Sequence, residues 1–172
     1  MVVTVTTSSG HRTAREAESG LFDHLLFFPL DLAFCQRSAL RAIRPDVVAI
    51  METELWMNLL WASKRMGSRT MLINGRISDR SFPKSMRLRF YYNALLKQLD
   101  RCLVQSPVDA QRLEALGASE PEVFGNCKFD QASDASSVNL GDLKRSFGVV
   151  DALPVIVIGS TRGDEEEDCL LY

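Results

Sequence analysis

Short runs of β-branched and apolar residues alternate along this chain with longer amphipathic stretches, and that alternation restricts the fold more than any other feature. Runs at 2–6, 46–51, 69–73, 101–105, 122–124 and 155–158 predict strands. A helix is predicted over 83–99, where Pro83 suits a first turn and Met86, Phe90, Leu95 and Leu99 recur at roughly helical spacing. A second is predicted over 106–116, with Ser106 as N-cap, Pro107 at the first helical position and Gly117 as the stop. Strands that alternate with helices predict the α/β class, a parallel sheet covered by helices on both faces.

Composition changes after Lys128. Residues 129–141 are polar and rich in Ser and Asp, as a linker would be. A short helix near 142–147, the 155–158 strand, Gly159-Ser160-Thr161-Arg162 and an acidic run follow. Roughly thirty residues cannot bury an independent core. The expected division is therefore a domain over 1–127, a linker over 128–141, and the opening part of a second α/β domain over 142–172.

Charge and cysteine usage exclude several function classes. The 20 Lys and Arg against 22 Asp and Glu leave a net charge of −2, without the basic signature of a nucleic-acid binder, so no nucleic-acid partner is expected and any affinity for anions is local. Cys35, Cys102, Cys127 and Cys169 form no CxxC pair, which argues against a zinc site or a secreted disulfide scaffold and for a reduced, cytoplasmic compartment. The apolar stretch Leu25-Leu26-Phe27-Phe28-Pro29-Leu30 is far too short to span a bilayer, and Met1 leads directly into Val2-Val3-Thr4-Val5 without a basic signal-peptide start.

Candidate chemistry gathers where strands end. In an open α/β sheet, residues just past a strand's carboxyl end line the ligand crevice. The run Asp46-Val47-Val48-Ala49-Ile50 passes directly into Met51-Glu52-Thr53-Glu54-Leu55-Trp56. Glu52, after an apolar strand, must be solvated in a crevice, paired with a cation, or neutralised. Glu54 serves equally as a first-turn carboxylate of a following helix. Asn74-Gly75-Arg76-Ile77-Ser78-Asp79-Arg80-Ser81 leaves the next strand with Lys84, Arg87 and Arg89 close behind, a mixture suited to phosphate or carboxylate recognition, or to a solvated basic helix face. Gly125-Asn126-Cys127-Lys128-Phe129-Asp130 places a lysine before the linker, either to neutralise developing negative charge or to pair with Asp130. Thr6-Thr7-Ser8-Ser9-Gly10 can bind an anion through backbone N–H groups or simply cap a helix. His11 and His24 lack partners at metal spacing and read as structural or surface residues.

Taken in order, Thr6-Thr7-Ser8-Ser9-Gly10, Phe28-Pro29-Leu30-Asp31, Arg44-Pro45-Asp46 leading into Glu52-Thr53-Glu54-Leu55-Trp56-Met57-Asn58, Asn74-Gly75-Arg76-Ile77-Ser78, Gly125-Asn126-Cys127-Lys128-Phe129-Asp130 and Gly159-Ser160-Thr161-Arg162 resemble the 3-deoxy-D-manno-octulosonic acid (Kdo) transferases of Gram-negative lipopolysaccharide synthesis. The resemblance covers nearly the whole chain. It implies a GT-B glycosyltransferase with two Rossmann-like domains, of which this chain is expected to carry an acceptor domain incomplete at its N-terminus and the beginning of the CMP-sugar-binding donor domain. It also implies transfer of Kdo from CMP-Kdo to a lipid A precursor, without a metal or other cofactor, at the cytoplasmic face of the inner membrane with peripheral membrane contact. By the same resemblance Glu52 and Lys128 are transition-state stabilisers, and Thr6, Thr7, Ser8, Gly10, Glu54, Asn74, Arg76, Ser78 and Arg80 bind substrate, the Arg76 region meeting the phosphorylated glycolipid.

Departures from the family pattern accompany the matches. Members of the family carry upstream a hydrophobic anchor and a Gly-Glu motif whose glutamate is the general base, and continue downstream through the part that grips CMP. Met57 stands where proline usually follows Trp, and Asp164 where glycine usually precedes the Glu pair. The chain thus resembles the middle of such an enzyme, a gene fragment inactive alone or a partial sequence. The alternatives are an acceptor-domain remnant that binds anionic glycolipid without catalysis, and a nucleotide-binding α/β module.

Overall fold

A computed structural model describes residues 1–16, 20–130 and 139–148. The chain divides into two compact units, Met1–Lys128 and Phe129–Tyr172. In the second, helix α7 (Leu140–Ser146) is described. The expected 155–158 strand, Gly159-Ser160-Thr161-Arg162 and most of the expected linker lie outside the described residues.

The first unit alternates as the sequence predicts: β1 (Val2–Val5), α1 (Ser8–Glu16), β2 (His24–Phe27), α2 (Ala33–Ile43), β3 (Val47–Met51), α3 (Met57–Arg65), β4 (Arg69–Gly75), α4 (Phe82–Arg87), α5 (Arg89–Leu96), β5 (Arg101–Val104), α6 (Pro107–Leu116) and β6 (Glu122–Val123). Every strand pairing is parallel. This is an α/β, Rossmann-like arrangement, but the strands form two sheets, β1-β2 and β3-β4-β5-β6. In the larger sheet Val47 to Met51 align with Arg69 to Ile73 without a shift. The β4–β5 register slips between Leu72 and Gly75, a bulge that bends the end of β4.

Two sequence expectations differ from the structure. Strand β2 was not expected, because its four residues carry too few alternations to register as a period. The single helix over 83–99 is two helices broken at Leu88 (φ −107°, ψ 28°). Of its supposed apolar stripe, Leu95 is buried whereas Phe90 is 77% exposed, so the break turns the stripe away from the core.

The core lies between β3-β4-β5 and their helices: Leu60, Leu72, Leu95, Leu96, Leu113 and Leu116 are almost wholly buried, joined by Ile50, Ile77, Cys102 and Val104. Each such leucine contributes roughly 1.5–3 kcal/mol of apolar burial. Helix ends are fixed by two different means. Helix α6 has a local cap, in which Ser106 Oγ accepts from Asp109 N–H, and it stops at Gly117 with φ 113°, a left-handed conformation that glycine adopts without cost. Helix α3 has no local cap; instead Asp31, 27 residues upstream, accepts from the N–H groups of Asn58 (3.1 Å) and Leu59 (3.0 Å).

Candidate functional site

The apolar sequence of β3 fixes it as a strand, and its pairing with β4 runs one residue past the strand because Glu52 N–H donates to Ile73 O at 2.9 Å. Glu52 itself has φ 56°, in the left-handed region that a side chain normally avoids, at a cost of about 1–2 kcal/mol. Across the ladder Asn74 has φ 57°. Left-handed residues therefore end both β3 and β4, and such strain is found preferentially at functional sites.

That backbone turn places the Glu52 carboxylate between two cations from different segments. Lys128 Nζ lies 3.5 Å from Oε1, and Arg76 Nη2 lies 3.6 Å from Oε2. Both separations exceed the roughly 2.7–2.9 Å of a tight charge-assisted bond. The side chains are 33% exposed for Glu52, 57% for Arg76 and 69% for Lys128, so the cluster is open to solvent and each pair contributes at most about 1 kcal/mol to stability. Of the expected cations, Arg76 and Lys128 reach the carboxylate.

Asn74 supports this cluster from beneath. It is 4% exposed, and its Oδ1 accepts from Cys127 N–H at 3.3 Å while its carbonyl accepts from Gln105 Nε2 at 3.1 Å. Asn126 Oδ1 in turn accepts from Lys128 N–H at 3.0 Å. A side chain so occupied holds the 125–128 loop against β4. The adjoining Gly75 has no room for a side chain, since a Cβ there would meet Leu72 at 2.8 Å and the Leu103 carbonyl oxygen at 3.3 Å.

Ser78 and Arg80 lie on the next stretch, both exposed. Ser78 Oγ accepts from Ser81 N–H at 3.2 Å and lies 2.8 Å from Ser81 Oγ, a local turn that occupies the hydroxyl. The stretch is tied down by Asp109, whose Oδ1 accepts from Ile77 N–H at 2.8 Å, and by Arg112, which donates to Ile77 O at 2.6 Å, pairs with Asp79 and covers the Phe82 ring.

Thr6, Thr7, Ser8 and Gly10 end β1 and open α1, where Thr7 Oγ1 accepts from Gly10 N–H at 3.0 Å as a helix cap. A cavity of about 340 Å³ brings Thr6, Thr7 and Gly10 together with Glu54 and Trp56. Glu54 precedes α3 rather than entering its first turn, and its Oε2 accepts from Trp56 Nε1 at 3.0 Å. The candidate residues thus form two groups at strand carboxyl ends, Glu52-Arg76-Lys128 and Thr6-Thr7-Gly10-Glu54. Sequence reasoning quoted Asp31 only as part of a motif and gave no supporting role to it or to Gln105, Asp109 and Arg112, because each acts on a segment distant in the chain. His11 stacks on Phe27 at 4.5 Å, a surface role. Among the described residues no group of His, Cys, Asp and Glu gathers as metal ligands, and no helix is long and apolar enough to cross a membrane.

Residues 1–131 match the family described as 3-deoxy-D-manno-octulosonic-acid transferase (kdotransferase). Among similar proteins are a bifunctional glycosyltransferase/methyltransferase of Fusobacterium nucleatum, 31% identical over 97% of this chain and 27% of that protein, and a 3-deoxy-D-manno-octulosonic acid transferase of Rickettsia felis, 31% identical over 82% of this chain and 30% of that protein. A transferase of the same description from Chlamydia trachomatis serovar D is 32% identical over 96% of this chain and 39% of its own length. The chain spans between 27% and 39% of these relatives.

Proposed function

The chain belongs to the 3-deoxy-D-manno-octulosonic-acid (Kdo) transferase family, and on that premise we propose that it supplies the acceptor side of a glycosyltransferase moving Kdo from CMP-Kdo to a lipid A precursor in lipopolysaccharide synthesis. One observation carries the reading: Glu52 is held in a left-handed turn between Lys128 and Arg76 at the carboxyl ends of parallel strands.

Transfer of a glycosyl group passes through a transition state in which the sugar ring gains positive charge while the leaving phosphate gains negative charge. A fixed carboxylate complements the first and a lysine ammonium the second. Glu52 and Lys128 take these roles. Their contacts, near 3.5 Å and solvent-facing, neutralise Glu52 at rest and leave room for a substrate anion to draw the cations away. Arg76, with the exposed Ser78 and Arg80, faces the phosphorylated acceptor, and Asn74 supports this side by positioning the Lys128 loop rather than by touching substrate. Thr6, Thr7, Gly10 and Glu54 line the neighbouring substrate cavity, and Ser8 opens α1 beside them. The reading requires no metal, because Lys128 and Arg76 bring the positive charge a metal would otherwise supply. The acceptor is membrane-borne, so the work takes place at the cytoplasmic face of the inner membrane.

The test is turnover of CMP-Kdo and lipid A precursor by the family-length polypeptide that contains these residues. Glu52→Gln and Lys128→Ala are expected to lower kcat by about 10²–10³-fold with little change in melting temperature. A variant that keeps kcat but melts earlier assigns its residue to structure. Retained binding of the anionic glycolipid without turnover in the unaltered protein favours the non-catalytic binding role.

A further inference from the structure

Helices α2 and α3 pack side by side and leave a groove between them. Ala33, Arg37 and Arg41 line it from α2, and Asn58, Trp61, Ala62 and Arg65 from α3. Both sets recur at steps of three or four residues, so each is a single face of its helix. The groove holds about 210 Å³, less than the roughly 300 Å³ at which pockets begin to enclose a drug-sized ligand. It has room for a small group, not for a whole sugar nucleotide.

The charge in the groove is uncompensated. Residues 32–45 and 57–69 carry Arg37, Arg41, Arg44, Lys64, Arg65 and Arg69 and no Asp or Glu, in a chain whose net charge is −2. Lys64 and Arg69 share Asp100, at 2.8 and 3.3 Å. Among the described residues no carboxylate pairs with Arg37, Arg41 or Arg65. Arg37 and Arg41 stand four apart on one helix face, where like charges repel. Trp61, 46% exposed on the opposite wall, adds an indole N–H, a group that only donates. The Asn58 side-chain amide is engaged elsewhere, donating to the Asp31 carbonyl at 2.6 Å.

Positive charge without a counterion, together with donors from two helices, selects an anion rich in acceptor oxygens. A carboxylate offers two oxygens in one plane, which suits one or two guanidinium forks. A phosphate offers three or more around a tetrahedron and carries up to two charges, so it can meet forks from both helices at once. We propose that the groove between α2 and α3 is a phosphate-binding site, separate from the Glu52-Arg76-Lys128 group, with which it shares no residue. Arg37, Arg41 and Arg65 hold the phosphate oxygens, and the Trp61 indole N–H supplies a further donor. The short side chains of Ala33 and Ala62 leave the space between the helices open for it. A soluble phosphate ester and the headgroup of an anionic lipid present the same oxygens to this lining. The site stands on its own residues and does not depend on the glycosyltransferase reading.

The 172-residue protein, labelled with nitrogen-15, tests this through the indole N–H resonance of Trp61, assigned with Trp61→Phe. Inorganic phosphate at about pH 7.5, where it carries close to two charges, should shift that resonance saturably against sodium chloride of equal ionic strength. Half-saturation is expected at about 1 mM or below. Arg41→Gln with Arg65→Gln should raise it about tenfold or more. Arg12→Gln with Arg15→Gln removes the same charge from α1 and should leave it within about twofold. All four arginines are exposed, so these variants should melt with the unaltered protein. Arg41→Lys with Arg65→Lys keeps the charge but loses the two-donor forks, and should still weaken phosphate severalfold. Vesicles identify the source. A lipid headgroup is the ligand if phosphatidylcholine vesicles containing phosphatidate broaden the Trp61 resonance and sediment the protein while pure phosphatidylcholine does neither. A soluble ester is the ligand if neither vesicle acts and glycerol phosphate shifts the resonance as inorganic phosphate does. The proposal is overturned if neither phosphate nor phosphatidate vesicles move the resonance beyond the chloride control. It is equally overturned if the α1 variant loses as much as the groove variant, or if acetate at equal ionic strength binds as tightly, since the groove then responds to charge and not to phosphate.

Discussion

Replacing Asp31 by alanine should unfasten a helix 27 residues away. Helix α3 begins at Met57 without a local cap, and the Asp31 carboxylate takes that position, accepting from Asn58 N–H at 3.1 Å and Leu59 N–H at 3.0 Å. These are the second and third helical residues, the donors an N-cap side chain normally satisfies. Loss of such a cap costs about 1–2 kcal/mol, a range that includes part of the attraction between a carboxylate and the positive end of the helix dipole. The Asn58 side chain also donates to the Asp31 carbonyl at 2.6 Å, a contact the substitution leaves in place, so the whole connection is not lost. For a unit of this size the melting temperature should fall by about 3–8 °C. Asp31→Asn retains one acceptor oxygen and should lose roughly half as much. Thermal and urea unfolding followed by circular dichroism measure both. An Asp31→Ala protein that melts within about 1 °C of the original, or an Asp31→Asn protein that loses as much as the alanine variant, refutes the long-range cap.

Three further outcomes follow from other sites. The Lys64 ammonium, and after it the Thr70 N–H, hold the Asp100 carboxyl well below the usual carboxylate range; a pKa depressed on folding contributes stability that is complete above the unfolded value near 3.9 and is lost as pH falls below it, so the urea midpoint should drop on acidification below about pH 4 and Asp100→Asn should flatten that dependence. Glu52→Gly relieves a left-handed side chain at φ 56° while deleting only two solvent-facing ion pairs, so the unfolding free energy should stay level or rise by up to about 1 kcal/mol; a loss above about 2 kcal/mol shows that Glu52 is structural. Burial pushes the Cys102 thiol up to about 11, whereas Cys127 is exposed, so iodoacetamide at pH 8 should label Cys127 in the native protein and reach Cys102 only after denaturation, as peptide mass spectrometry will show.

The strand ends were legible because the signals are local. A run such as Val47-Val48-Ala49-Ile50 passing into Glu52 predicts both a strand and a carboxylate at its carboxyl end, although Val47 and Met51 of that strand are exposed where a buried strand is expected, and Ser106, Pro107 and Gly117 mark the limits of α6 by rules that act within one turn. The break at Leu88 was not legible: Met86, Phe90, Leu95 and Leu99 keep helical spacing, yet they fall on two helices, and only packing decides which of them are covered. Glu54 shows the same limit. Its spacing allowed a first-turn carboxylate, but the capping carboxylate of α3 comes from Asp31.

By itself the sequence determined the α/β class, five of the first unit's six strands, the helix α6 and the family, because strand periodicity, caps and short motifs each depend on residues within a few positions of one another. Only the tertiary structure decided that Glu52 meets Lys128 and Arg76, and that Asn74 turns inward to hold the lysine's loop. Those facts join residues 24 to 76 positions apart in the chain, and the register of parallel strands, fixed by ladder hydrogen bonds and the packing beneath them, sets which side chains come within a few ångströms.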